Sequence, residues 1–367
     1  MVSVLIFILV LVALILVHEF GHFIAAKLSG MRVDEFGIGY PPKAAGLRRG
    51  ETEYTFNWLP FGGFVRIYGE DEAAAAEDPK DAHRAFFRKP RIVQALVLAA
   101  GILMNLVFAW VLLTLTLGIG APRALEPHEL SSAKDPYVLV SSVMPGSPAE
   151  EAGFEPGDRI VRATAGADAF ISADAEQFTK FVSESDEAIT FVLENGGEER
   201  TISATPRPGL AIDDPERRVL GVGVASVGTV QTPWHQAPIE GFTLTWDMTK
   251  ATAVGLVSFF AGIFTLTADL SQVSGPVGIA GAVGDAAGTG LAQLLTLTAI
   301  ISINLALINL LPIPALDGGR LLFVAIEAII RRPLSRRFQN WVNTAGFAFL
   351  ILLMIVVTAS DIFKIAL

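Results

Sequence analysis

An uninterrupted apolar segment near the start of the chain restricts the fold more than any other feature. Residues 2–17 (VSVLIFILVLVALILV) contain one polar residue, Ser3, and together with the apolar parts of FGHFIAAKL (20–28) they are long enough for a helix that crosses a bilayer. The alternative is a signal peptide, which needs a basic segment before its apolar run, but Lys27 is the first basic residue of the sequence. The segment therefore predicts a membrane-spanning helix.

Three further apolar runs, at 92–118, 291–311 and 345–359, predict additional membrane spans. The run at 251–266 is short for a span and more typical of an interfacial or re-entrant helix. Composition agrees with a membrane protein, because 52% of the 367 residues are hydrophobic and only 17% are charged, where soluble domains have about 25%. We predict a multi-pass α-helical membrane protein with four transmembrane helices.

The distribution of basic residues predicts the orientation of these helices. Segments 27–91 and 320–337 contain eleven and five Lys or Arg residues, so both are expected to face the cytoplasm. Four spans satisfy this condition and place both termini and the segment between spans two and three outside the cytoplasm. A fifth span at 251–266 would place the two basic segments on opposite sides of the membrane.

The segment between the second and third spans differs in charge from the rest. Residues 121–290 carry 23 acidic and 10 basic side chains, whereas the whole chain has a net charge of −10, so the remainder is slightly basic. An acidic insert between spans argues against a nucleic-acid partner, which requires basic stripes. The sequence contains no cysteine, which excludes disulfides and thiolate metal sites.

Part of this insert resembles a PDZ domain. Residues 145–161 (PGSPAEEAGFEPGDRIV) predict a turn, a short helix and a strand, and a helix, a hairpin turning at 195–197 and a last strand at 217–225 come after them. The resemblance implies a module that receives an extended peptide, often through a free carboxylate. RATAGADAF (162–170) replaces the usual next strand, which leaves open whether the groove binds peptide or the module only limits substrate size.

The loop before the second span has a β-strand pattern. Residues 51–70 alternate apolar and polar side chains on either side of PFGG (60–63), which predicts a membrane-associated β-hairpin that turns there. Backbone groups at membrane depth would need partners in protein or in cavity water. The next residues, 70–89, are expected to form a solvated linker.

The first span carries the sequence HEFGH, in which His18 and His22 are four residues apart. On a helix both imidazoles project from one face and can reach a single ion, while Glu19 lies beside them. This spacing is that of zinc sites in which the glutamate is the general base. The alternative is a pair of structural histidines at a helix end, but membrane segments exclude these residue types unless they have a function.

A catalytic zinc normally has three protein ligands. Of the remaining histidines, His83 lies in the linker and His128 and His235 lie in the insert, so a carboxylate in the membrane region is the better candidate. Asp317 follows two prolines that break the third span, and in the four-span topology it lies at the same depth as the histidines, near the cytoplasmic side. Its alternative role is to cap the next helix.

Five motifs of the sequence are HEFGH (18–22), PFGGFVRI (60–67), AGILMN (100–105), SGPVGIAG (274–281) and NLLPIPALDGG (309–319). In this order they resemble the motifs of the bacterial site-2 protease family. Its members are intramembrane zinc metalloproteases, among them the regulator of sigma-E protease type. The resemblance implies an endopeptidase that binds one Zn2+ per chain and cleaves transmembrane segments of single-span proteins, such as anti-sigma factors or remnant signal peptides, after a first extracytoplasmic cut. The implied zinc ligands are His18, His22 and Asp317, the implied general base is Glu19, and the implied substrate-binding residues are Asn309, Gly62 and Gly63.

The predicted organisation has four parts, namely two helices with the first metal motif (1–120), a PDZ-like domain (121–230), an amphipathic connecting region (231–290) and two helices with the second metal motif (291–367). The expected location is a bacterial cytoplasmic membrane, with lipid and single-span substrates as partners. A metal transporter using the same three ligands and a non-catalytic scaffold are alternatives. Zinc content and metal flux would distinguish them.

Overall fold

The structure, a computed structural model, describes residues 2–70, 79–209, 216–265 and 275–366. The chain divides into two compact units. The first, here called the membrane unit, comprises Met1–Thr116 and Trp234–Leu367, and the second, the insert unit, comprises Leu117–Pro233. The bounds of the insert unit lie within four residues of the predicted 121–230.

The first half of the membrane unit consists of two long helices with a pair of strands between them. Helix α1 is Val2–Leu28, strand β1 is Val33–Arg49, strand β2 is Thr52–Ile67, and helix α2 is Arg91–Ile119. Short 3₁₀ turns at Pro79–Arg84 and Phe86–Arg88 precede α2. Because α1 continues well beyond the purely apolar run, the HEFGH motif lies inside a helix rather than at its end.

Strands β1 and β2 pair along most of their length, but the predicted hairpin, in which the residues on the two sides of PFGG would pair with each other, does not form. The chain turns at residues 50–51, and PFGG lies within β2. Residues 33–38 of β1 form the middle of the sheet, because they pair with 53–56 on one side and with 63–67 on the other. The two halves of β2 therefore do not pair with each other, and the half at 63–67 forms an edge of the sheet.

Glu51 fixes the turn between these strands. Its carboxylate accepts hydrogen bonds from Arg84 at 2.6 and 2.8 Å and from Lys27 at 2.7 Å. Hydrogen bonding by Arg84 and then by Lys27 lowers the pKa of Glu51 to about 2. The carboxylate therefore stays charged at neutral pH and ties the turn both to the end of α1 and to the first 3₁₀ turn.

The insert unit is built on a seven-stranded sheet. Its elements are β3 (Ala121–Ala124), β4 (Lys134–Val143), α3 (Pro148–Ala152), β5 (Arg159–Ala165), β6 (Asp168–Phe170), α4 (Ala175–Glu184), β7 (Ile189–Asn195), β8 (Glu198–Ala204) and β9 (Val222–Val230). The strand order is β3-β9-β4-β5-β7-β8, and β6 pairs with β5. The expectation that 162–170 lacks the usual strand was wrong, because β5 continues to Ala165 and β6 comes directly after it.

The core of the insert unit lies between this sheet and α4. Phe178 on α4 packs against Phe170 and Phe191, with ring centroids 5.3 and 6.2 Å apart. Asp158 is fully buried, and its charge is balanced by Arg200 at 2.7 Å. The last strand begins at Val222, five residues later than predicted, because residues 216–221 form an irregular loop instead.

The second half of the membrane unit is helical. Its helices are α5 (Ala237–Thr265), α6 (Pro276–Thr289), α7 (Leu291–Leu310), α8 (Asp317–Ile330) and α9 (Arg336–Ala366). Among the described residues, four helices are long and apolar enough to cross a membrane, which agrees with the predicted number of spans: Val2–Leu28, Arg91–Ile119, Leu291–Leu310 and Arg337–Phe363. The run predicted to be interfacial, 251–266, lies in α5 as far as the helix is described.

Two close contacts hold the bundle together. Gly21 of α1 lies against the backbone of α2, where an added Cβ would be 2.4 Å from the carbonyl oxygen of Ala100. At the other end, the buried Asp361 of α9 accepts hydrogen bonds from the amides of Gly275 and Gly278 at the start of α6. A carboxylate there is favourable because the first amides of a helix lack partners within the helix.

Candidate metal centre

The side chains of His18, His22 and Asp317 meet inside the membrane unit. Asp317 Oδ2 is 3.0 Å from His18 Nε2 and 3.1 Å from His22 Nε2, and the two Nε2 atoms are 3.2 Å apart. Both histidines are 8% exposed. The three predicted ligands therefore form a triangle of donor atoms between α1 and the start of α8, although 295 residues separate His22 from Asp317.

This triangle fits a bound metal ion. Donors held about 2.1 Å from a tetrahedral ion are about 3.4 Å from one another, close to the observed separations. His22 Nδ1 donates to the carbonyl oxygen of Val97 at 2.9 Å, so Nε2 of the neutral ring carries a lone pair. This lone pair faces the Asp317 carboxylate oxygen and the Nε2 atom of His18, so three electron-rich atoms lie close together. A metal cation between them would supply the positive charge that stabilises this arrangement.

The backbone before α8 brings Asp317 to this position. Leu316, not Asp317, is the N-cap residue and makes no side-chain capping hydrogen bond, so the alternative role of Asp317 as a helix cap was wrong. The chain folds back closely here, because an added Cβ at Gly318 would be 2.2 Å from the carbonyl oxygen of Leu311, and one at Gly319 would be 2.3 Å from that of Ile313. The two glycines after the aspartate are therefore required by this turn.

Three residues of helix α2 lie next to the two histidines, and the sequence analysis assigned them no role. Val97, Gly101 and Asn105 are spaced by four and lie on one helix face. Val97 accepts the hydrogen bond from His22, and Asn105 Nδ2 is 3.2 Å from His18 Nδ1. Gly101 leaves room for the rings, since an added Cβ would be 2.4 Å from His22 Nε2. The AGILMN motif was the available signal for this face.

The remaining predicted site residues line one cavity together with two of the three donor residues, His18 and Asp317. It has a volume of about 430 Å3, and its lining includes His18, Glu19, Gly62, Gly63, Asn309 and Asp317. The third donor residue, His22, does not line this cavity. Gly63 packs against α1, where an added Cβ would be 3.6 Å from Glu19 Cγ. The structure thus brings the residues predicted for chemistry and those predicted for substrate binding together.

An open strand edge borders the same cavity. Residues 63–67 pair with 33–38 on one side, and no strand among the described residues pairs with their other side. Such an edge presents amide and carbonyl groups that an extended peptide can satisfy. Two of the three donor residues, the Glu19 carboxylate and an open strand edge therefore lie at one cavity.

A helical membrane protein with this donor set belongs to the class of membrane metalloproteins. Residues 6–353 match the model of peptidase family M50, and the chain belongs to that family. It is 35% identical over 350 residues to a putative zinc metalloprotease of Clostridium perfringens, with 95% of both chains covered. It is 33% identical to a putative zinc metalloprotease of Synechocystis, over 96% of this chain and 92% of the relative.

A further relative is the zinc metalloprotease RasP of Geobacillus kaustophilus, 29% identical over 99% of this chain and 98% of the relative. These similarities confirm the predicted family, the prediction of a zinc metalloprotease and the prediction of zinc as its cofactor. Together with the four apolar helices they also support a location in a bacterial inner membrane.

Replacing Gly101 by alanine should weaken metal binding. The new Cβ would overlap His22 Nε2 and approach His18 Cε1 to 2.9 Å, so both rings must leave the positions in which they face Asp317. We expect the zinc dissociation constant of the purified chain to rise about tenfold or more. The dissociation constant is measured from the zinc content that remains after dialysis against a competing chelator.

The matched control is Gly255→Ala, because Gly255 is also helical and an added Cβ there meets no atom within 4 Å. That variant should keep the wild-type affinity. Wild-type zinc affinity in Gly101→Ala would contradict the observed ring packing.

Proposed function

We propose that this protein is an intramembrane endopeptidase that cleaves the transmembrane segments of single-span membrane proteins. The observation that carries the proposal is the cavity in the membrane unit, where the ligand triangle, Glu19 and an open strand edge lie together among apolar helices. A binding or transport site needs the ligands but has no use for the carboxylate and the strand edge beside them.

The three donor side chains and Glu19 have complementary roles in hydrolysis. His18, His22 and Asp317 hold the zinc ion, which when bound polarises the scissile carbonyl group and lowers the pKa of the attacking water. Glu19 takes the proton from that water as a general base and then delivers it to the leaving amine nitrogen. Both hydrogens of the water are thereby accounted for, since one stays on the new carboxyl group and the other goes to the amine.

The substrate must be extended where it is cut, because a helical backbone encloses its carbonyl groups in hydrogen bonds and side chains. Residues 63–67 can hold such a segment as an added strand, and Gly63 allows its backbone to approach Glu19 closely. Asn309 of α7 lines the same cavity and orients the substrate backbone through its amide. Water reaches the site from the cytoplasmic side.

The sheet of β1 and β2 is proposed to dip into the membrane. Large apolar side chains are exposed on this sheet, including Leu47 at 70%, Phe56 at 55% and Trp58 at 71%. Exposed aromatic and aliphatic groups of this kind are favourable at a membrane interface. With the basic segments facing the cytoplasm, the active site lies near the cytoplasmic side, and both termini and the insert unit lie outside.

The insert unit is proposed to be a PDZ-like module with a peptide groove. A cavity of about 570 Å3 runs between α4 and residues 222–224 of β9, and its lining includes Thr179, Val182 and Leu220. Strand β9 pairs with β3 only from Val227 onward, so within the part of the chain that the structure describes its first residues have an open edge on this side. An extended peptide with a free carboxylate fits there, as expected for the trimmed end of a substrate.

This module would select substrates whose extracytoplasmic part has already been cut. A free carboxyl terminus created by a first protease provides a mark that the intact substrate lacks, and a bulky ectodomain is removed by the same cut. Anti-sigma factors and remnant signal peptides have the required form, a single span with a short extracytoplasmic end. Peptide binding by the insert unit separates the two alternatives, carboxylate capture and size exclusion.

Replacing Glu19 by glutamine should stop most of the cleavage. The amide removes the base but retains the size of the side chain, so cleavage of a single-span reporter should fall by about 100-fold or more. Zinc content should stay near that of wild type, because Glu19 is not a ligand. Reporter cleavage in proteoliposomes, followed by gel electrophoresis and zinc analysis, measures both quantities.

Glu187→Gln, at an exposed residue of the insert unit, is the control and should cleave normally. Unreduced cleavage by Glu19→Gln would rule out the assigned base. In the same assay the reporter with a trimmed ectodomain should be cut faster than the intact one, and equal rates would argue against the requirement for a prior cut.

Thr179→Trp tests the groove of the insert unit, because it places a large ring there from an exposed position on α4. Fluorescent decapeptides ending in leucine, valine or alanine should bind the full-length wild-type chain with a free carboxylate and bind at least about tenfold more weakly as amides. The variant should lose this binding, measured by fluorescence anisotropy.

Thr201→Trp is the control, because Thr201 is exposed on β8 and does not line the groove. Absence of peptide binding by the wild-type chain would leave size exclusion as the role of the insert unit. Equal binding by both variants would place the peptide elsewhere.

A further inference from the structure

Asn105 of α2 is completely buried next to the metal centre, and its side-chain Nδ2 is 3.2 Å from His18 Nδ1. We propose that Asn105 is a positioning residue that holds the His18 imidazole with its Nε2 lone pair directed at the metal ion. The inference rests on the metal site of the proposed function and adds a group that determines how well that site binds its ion.

His22 provides the comparison within the same site. Its Nδ1 faces the carbonyl oxygen of Val97, which can only accept a hydrogen bond. The proton of a neutral His22 is therefore on Nδ1, and Nε2 is free to coordinate. His18 presents the same ring atom to the metal and needs the same arrangement at its own Nδ1. The residue that α2 places there, two turns after Val97, is Asn105.

The two orientations of the Asn105 amide have opposite consequences. If Nδ2 donates to Nδ1, the His18 proton is moved to Nε2 and the ring cannot be a ligand, and the buried Oδ1 has no hydrogen-bond partner. If the amide is turned by 180°, Oδ1 accepts the Nδ1 proton and Nε2 keeps its lone pair. Only the second orientation gives Oδ1 a partner and lets His18 bind metal.

The backbone of Asn105 is fixed by a neighbouring helix. Its carbonyl oxygen accepts a hydrogen bond of 2.8 Å from the hydroxyl group of Ser302 on α7, and Ser302 is also fully buried. One turn earlier, Gly101 allows both imidazoles to lie against α2. The amide is therefore held at one place relative to His18, which is the requirement for orienting a metal ligand through its second nitrogen.

The experiment compares Asn105→Leu with Asn105→Asp in the full-length chain. Leucine has a similar size but no acceptor, so the zinc dissociation constant, measured by chelator competition, should rise about 10- to 100-fold. Aspartate keeps an acceptor oxygen and should restore the affinity to within about threefold of wild type. With Co2+ in place of zinc, the visible absorption bands should change in the leucine variant and be retained in the aspartate variant.

Thr116→Val is the control, because Thr116 is a buried polar residue of the same helix that bonds to its own helix at Leu112. It should leave both measurements unchanged, and thermal unfolding verifies that all variants are folded. A folded Asn105→Leu variant with wild-type zinc affinity and a wild-type Co2+ spectrum would overturn the inference. Equal losses of zinc affinity in Asn105→Leu and Asn105→Asp would also overturn it. Both results would leave the proposed function intact. A wild-type chain that binds no zinc would overturn the metal site itself, and the inference with it.

Discussion

Three donor atoms from distant parts of the chain converge in the interior of an apolar helix bundle, and the rest of the membrane unit depends on this convergence. Burying two imidazoles and a carboxylate away from water is unfavourable by several kcal/mol per group unless they are paired or bind a cation. Separations of 3.0 to 3.2 Å allow one ion to satisfy all three. The same ion would link α1 to α8 and so stabilise the bundle as well as serve catalysis.

The helices around the three donor side chains approach one another and the donors closely. Glycines allow the closest contacts, with Gly21 between α1 and α2, Gly101 beneath the imidazoles, and Gly318 and Gly319 behind the aspartate. Polar groups of α2 face the ring nitrogens that do not point to the ion. The sheet supplies an edge rather than a side chain, so the substrate would be recognised through its backbone.

Local patterns were sufficient to predict the helices and the three side chains that converge in the membrane unit. His18 and His22 are related by helical spacing, and Asp317 was the acidic residue placed at the same depth by the four-span topology, so short-range rules and the bilayer thickness determined the candidates. Asn309, Gly62 and Gly63 came from the family resemblance alone, and in the structure they line the cavity.

Non-local pairing explains what the sequence could not reveal. Residues on either side of PFGG alternate as a hairpin would, but both halves of β2 pair with β1, and that choice depends on strand contacts across the sheet. Strand β6 was missed because three residues carry too little pattern to be recognised. The role of Asn105 needs the packing of α2 against α1, since a buried asparagine in an apolar run has no unique partner in the sequence.

X-ray absorption at the zinc edge of the purified full-length protein tests most directly whether one ion joins α1 and α8. We expect one zinc per chain with two imidazole nitrogens and additional oxygen ligands at about 2.0 to 2.2 Å. In Asp317→Ala one protein oxygen should be lost from this coordination while the imidazole contribution stays. A spectrum without imidazole ligands, or one unchanged in that variant, would contradict a zinc ion bound jointly by α1 and α8.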